Sequence, residues 1–141
     1  MREMRDLIKY TLFGVAFISL AGCTFRPNRV DAFVKKGGDK TNIVEVILSA
    51  VDAKTIKDRE IYFSVVVMDC KNYENRYPAV PYIAGMRASN FKFPIAEKLV
   101  TVEAAIPERI LAEFPNACVA LQGGSYFFGK IDSAPVPLAN R

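Results

Sequence analysis

Histidine, the side chain most often recruited for acid–base and metal chemistry, is absent from all 141 residues. Its absence removes the usual general base, the usual zinc ligand and every Ser-His or Cys-His nucleophilic pair. Asp69, Glu74 and Asp132 are the carboxylates nearest to an acid–base pair or an oxygen-ligand set. No loop spacing orders them, so they read as surface charge. Gly123-Gly124-Ser125 lacks the lysine and the strand-to-helix setting of a phosphate loop and reads as a turn. No catalytic residue, metal ligand or cofactor is therefore expected, and the chain reads as a non-enzyme. The 19 Lys and Arg are scattered against 15 Asp and Glu, for a formal charge of +4, so no nucleic-acid partner is expected either. The reactive groups that remain are the thiols of Cys23, Cys70 and Cys118.

Cys23 follows a charged and then apolar N-terminus. Arg2, Arg5 and Lys9 lie in the first nine residues, diluted by Glu3 and Asp6, and an eleven-residue apolar run follows from Tyr10 to Leu20. That is the layout of a secretory signal, and it is well short of the roughly 20 residues that a membrane span needs. The run ends in Leu20-Ala21-Gly22-Cys23, which resembles the lipobox of bacterial lipoproteins. The resemblance implies cleavage between Gly22 and Cys23, a diacylglycerol thioether on the Cys23 sulfur and acylation of the freed amine. Several acyl chains anchor stably where one holds only marginally. By the same resemblance to Gram-negative lipoproteins, Thr24 rather than Asp after the cysteine implies sorting to the outer membrane, facing the periplasm.

With Cys23 given to lipid, Cys70 and Cys118 are left in an oxidising compartment, where they are expected to pair. A disulfide closing so long a loop contributes about 4 kcal/mol in the chain-entropy model. A redox pair is disfavoured, because the spacing is not Cys-x-x-Cys and no basic cluster flanks either thiol.

The elements that must hold these residues divide the chain into a signal peptide over 1–22, a lipidated tether over 23–42 and a β-sandwich domain over 43–141. Residues 24–42 are polar, punctuated by Pro27 and Gly37-Gly38, and lack a sustained period; the competing reading is an edge strand near Ala32–Lys35. Val44, Val46, Leu48 and Ala50 alternate with Glu45 and Ser49 as a half-buried strand does. Residues 60–70 are apolar on both faces, as a central strand is. Val100, Val102, Ala104 and Ile106 alternate again, and strands are expected over 117–122 and 127–138 with Gly123-Gly124 between them. Pro107 to Phe114 reads as one short connecting helix stopped by Pro115.

Short strands with a single helical connection point to an all-β sandwich. The C-terminal GSYFFGKIDSAPVPL resembles the last strand of fibronectin type III and related immunoglobulin-like domains, although the core tryptophan of that family is missing. The resemblance implies that 60–70 and 117–122 are antiparallel neighbours, the third and sixth strands, which would bring Cys70 to Cys118.

The stretch from Asn72 to Asn90 reads as a long connection rich in Tyr, Arg and Pro. Long connections in compact domains often carry function, and Tyr and Arg dominate protein interfaces. Tyr73, Arg76, Tyr77, Tyr82 and Arg87 are the candidate partner-binding set. The competing reading is that the tyrosines cover the sandwich and that 79–84 is a proline-protected edge strand. The function expected is a protein-binding module anchored to membrane lipid through acylated Cys23, with a protein partner in the periplasm. In size, signal and architecture it resembles periplasmic immunity lipoproteins, which implies a toxin as partner. The alternatives are an accessory lipoprotein of a secretion or envelope machine, and a glycan or small-ligand binder that uses aromatic stacking.

Overall fold

The computed structural model describes residues 24–28, 30–125 and 129–141. Two mixed sheets pack face to face as an all-β sandwich. The first runs β1 (Thr24–Phe25), β10 (Gly129–Asp132), β9 (Ala117–Ser125), β4 (Tyr62–Asp69) and β5 (Arg76–Ala79), with β11 (Val136–Pro137) also on β9. The second runs β12 (Ala139–Asn140), β2 (Val30–Lys36), β3 (Thr41–Ser49), β8 (Leu99–Pro107), β6 (Tyr82–Ile83) and β7 (Met86–Arg87). β4 and β9 are antiparallel neighbours in the first sheet, as expected, and β3 lies between β2 and β8 in the second, which completes an all-β sandwich.

The alternating residues make the core. Val44, Val46 and Leu48 of β3 meet Val65 and Val67 of β4, Val102 and Ile106 of β8, and Val119 and Leu121 of β9, all essentially inaccessible. Each apolar side chain buried this way contributes about 1.5–3 kcal/mol relative to exposure. β4 is apolar on its other face too, where Val66 and Met68 cluster with Cys118 and Ala120. That face is crossed by a hydrogen bond of 3.0 Å from Arg76 on β5 to Gln122 on β9.

Among the described residues, two α-helices join strands. Glu108–Ala112 (α2) is the connecting helix expected, and Phe114 behind it is buried. Ala50–Asp58 (α1) is additional. Its N-cap is Ser49, whose hydroxyl accepts the Asp52 N–H at 3.1 Å, and only Ala53 and Ile56 supply an apolar stripe. So polar a segment gives little periodic signal.

Three expectations are corrected. The tether is not free over its whole length: Val30–Lys36 pairs with β3 along seven residues, packing Val30 and Ala32 on the core. Thr24–Phe25 pairs with β10, and the Asn28 N–H donates to the buried Asp52 carboxylate at 2.8 Å. Gly123 and Gly124 are not a turn but strand residues of β9, opposite Phe63 and Tyr62. A Cβ on Gly123 would lie 1.9 Å from the Tyr62 carbonyl oxygen, so glycine there answers close approach of backbone. The last expected strand is broken into β10 and β11, with β12 beyond its expected end; Ser133 interrupts it, its hydroxyl accepting the Leu121 N–H at 2.7 Å. Phe127, at its expected start, lies outside the described residues.

Candidate functional site

The Asn72–Asn90 stretch is not one loop. It holds β5, β6, β7 and a 3-10 turn at Ala88–Asn90, and it passes from the first sheet to the second between Ala79 and Tyr82. The crossing divides the five candidate residues. Tyr73 and Arg76 sit together at the edge of the first sheet, the Arg76 Nε donating to the Tyr73 carbonyl at 2.6 Å. Tyr77 turns inward and packs on the core, which removes it from any exposed contact set. Tyr82 and Arg87 are direct cross-strand partners at the edge of the second sheet, both exposed.

Registers place Tyr82 and Arg87 at one end of a longer row. Phe33 pairs with Glu45, Glu45 with Glu103, Glu103 with Tyr82, and Tyr82 with Arg87. Residues paired across neighbouring strands share a face, so these five line the outer surface of the second sheet. At about 4.8 Å per strand they extend over about 19 Å.

Charge is concentrated on this row. Glu45 is a carboxylate with a side chain only 5% exposed, which in isolation would be costly to leave ionised. It is compensated by Lys35, whose Nζ lies 2.5 Å from one oxygen, and by the Arg141 guanidinium at the other. Lys35 also reaches Glu103 at 3.4 Å, and Arg141 lies over the Phe33 ring, 5.4 Å from its centroid. The Lys35 hydrogen bond holds the Glu45 carboxyl below the usual carboxylate range, against the opposing effect of burial. Reciprocally, the bond to Glu45 raises Lys35 above the ordinary ammonium range. Sequence reasoning placed Glu45 on a polar face and missed its burial. The signal available was a lone acid within the apolar run TNIVEVILS.

Cys70 and Cys118 form a disulfide with Cα atoms 5.0 Å apart, as the topology required. The bond joins the end of β4 to the start of β9, and the Cys70 N–H donates to the Asn116 carbonyl at 2.8 Å. Gly22 and Cys23, the expected cleavage and lipidation residues, lie outside the described residues. The neighbouring Thr24 is placed: it pairs with Lys130, Lys130 with Gly124, and Gly124 with Tyr62. Among the described residues, no three His, Cys, Asp or Glu gather to hold a metal ion. Among those carboxylates, Asp69 accepts the Lys71 N–H at 2.7 Å, and Asp132 faces the Gln122 amide at 3.5 Å.

Compared with known proteins, the chain matches no family model, no curated sequence and no solved structure.

Proposed function

We propose that the chain is a non-enzymatic lipoprotein of the outer membrane, anchored through acylated Cys23 and facing the periplasm, and that its sandwich binds another protein. The Leu20-Ala21-Gly22-Cys23 tetrapeptide behind a charged and apolar N-terminus supports the anchor. The Cys70–Cys118 disulfide fits an oxidising compartment.

The observation that carries the binding role is the outer row of the second sheet. Aromatic rings at Phe33 and Tyr82 flank Glu45 and Glu103 there, with Arg87 at the far end, on a hydrogen-bonded surface. Tyr and Arg on a preorganised sheet lose little conformational entropy on binding, and ionic groups at the rim steer and align a partner. The partner class that best suits a small anchored binder of this kind is a toxin acting in the periplasm, which the chain would neutralise.

The test is capture of partners by crosslinking in the intact cell with the tagged full chain, using Cys23→Ser as the mislocalised control. One specific protein is expected with the anchored form, and its toxicity is expected to fall when the chain is present. Tyr82→Ala and Arg87→Ala should each weaken capture about tenfold or more, whereas Tyr77→Phe should not. Recovery of lipid and abundant porins alone, with no toxin neutralised, would sink the proposal.

A further inference from the structure

The row Thr24, Lys130, Gly124 and Tyr62 crosses the first sheet at one end and lies on its outer face. Cys23 immediately precedes the first member in the sequence. The chain has no slack at this point. Thr24–Phe25 is a strand of the sheet, and three residues later Asn28 is fastened to the buried Asp52 carboxylate. A lipid on Cys23 would therefore emerge at this corner of the sandwich rather than at the end of a spacer.

The corner is shaped and charged for a lipid surface. Between Tyr62 and Lys130 lies an open trough of about 620 Å³, floored by Gly123, Gly124 and Gly129. Tyr62 is 50% exposed, and its ring is braced edge-on by Phe91, with centroids 5.0 Å apart. A fixed, half-exposed tyrosine suits the headgroup level of a bilayer, with its ring among glycerol and upper acyl groups and its hydroxyl in water. Lys130 is exposed at its wall, and Arg59 and Lys92 are exposed near Tyr62 and Phe91 in sequence, against Glu60 and Asp132; Asp58 is taken by Lys54. That balance favours phosphate oxygens.

We infer that this end of the first sheet is a membrane seat: with Cys23 lipidated, Tyr62 and Lys130 rest on phospholipid headgroups and hold the domain upright against the bilayer. The inference rests on the anchor proposed above. Seven rises of β4, about 23 Å, separate Tyr62 from the disulfide end, so Tyr73 and Cys70 point away from the membrane.

The sequence contains no tryptophan, so Tyr62→Trp and Tyr73→Trp each introduce a unique fluorophore at opposite ends of the sheet. The full-length lipidated chain is reconstituted into vesicles of phosphatidylethanolamine and phosphatidylglycerol, a fraction of them brominated near the headgroup. The seat predicts that Tyr62→Trp loses most of its emission and shifts to the blue, that Tyr73→Trp is unquenched, and that adding Lys130→Glu at least halves the quenching of Tyr62→Trp. Equal quenching at both ends, or none at either while the protein floats with the vesicles, overturns the seat and leaves the anchor standing. A chain with no added lipid mass on Cys23 that fails to float overturns both, and the missing mass identifies the anchor as the failure.

Discussion

The Lys35 ammonium and the Glu45 carboxylate meet at 2.5 Å on a strand pair, one side chain 43% exposed and the other 5%. The pair is thus half in water and half in the protein. Glu45 is ionised at a position where burial alone would neutralise it, because Lys35 and Arg141 supply the opposing charge. Removing the carboxylate and removing a cation are accordingly not equivalent changes.

The pH profile of stability should show this pair. The Glu45 carboxyl is held below its unfolded value, so its contribution is complete above the ordinary carboxylate range and is lost as pH falls through the lowered value. Lys35 is raised, so its contribution is complete below the ordinary ammonium range and is lost as pH rises through the raised value. Urea denaturation of the mature chain as a function of pH should show a plateau between these limits. Glu45→Gln should flatten both limbs, the acid limb most, whereas a profile unchanged by that substitution would contradict the assignment.

Gly123→Ala should be strongly destabilising, by about 3 kcal/mol or more, since the new methyl would meet the Tyr62 carbonyl and the Phe63 Cα, both backbone atoms. Gly38→Ala, with nothing within 4 Å, should change stability by less than about 1 kcal/mol. Paired thermal melts decide this, and similar losses at the two positions would refute the close-approach argument.

Reduction of the Cys70–Cys118 bond should lower stability by about 4 kcal/mol. The double substitution Cys70→Ser, Cys118→Ser should reproduce most of that loss in guanidinium denaturation. The β4 and β9 ends near Asn116 should then exchange amide hydrogens faster than the Tyr62 end does.

Asp52→Ala should cost about 1–3 kcal/mol by leaving the Asn28 N–H without its carboxylate. Amide exchange at Asn28 should accelerate, and β1 should become more readily clipped by protease ahead of β2. Asp52→Asn, which keeps an acceptor oxygen, should recover most of the loss; failure to recover it would place the effect in the helix dipole.

Legibility in the sequence followed locality. Val100, Val102, Ala104 and Ile106 announced a half-buried strand, and all four are buried. The Cys70–Cys118 pair was legible because two adjacent strands put their ends together. β2 was harder to read, because it carries small Ala32 inward and large Phe33 outward, which blurs the alternation. What makes an outward Phe33 tolerable is the Arg141 guanidinium over its ring, a contact from the far end of the chain. Gly123-Gly124 misled for the same reason: the need for glycine is set by the Tyr62 carbonyl, distant in sequence. Of the binding candidates, Tyr82 and Arg87 were brought into register with each other, whereas Tyr77 was spent on the core. The sheet crossing between Ala79 and Tyr82 that separated them follows from tertiary pairing.

The strands that close the two sheets also decide how the molecule behaves in a crowd. β1, β7 and β12 are two residues long, and β5 is four residues long with Pro78 inside it. An incoming strand that added to β1, β7 or β12 would find only a rung or two of amides and carbonyls before that strand ended, few to set against the entropy of joining. Copies packed side by side at high density should therefore gain little by pairing through these outermost strands.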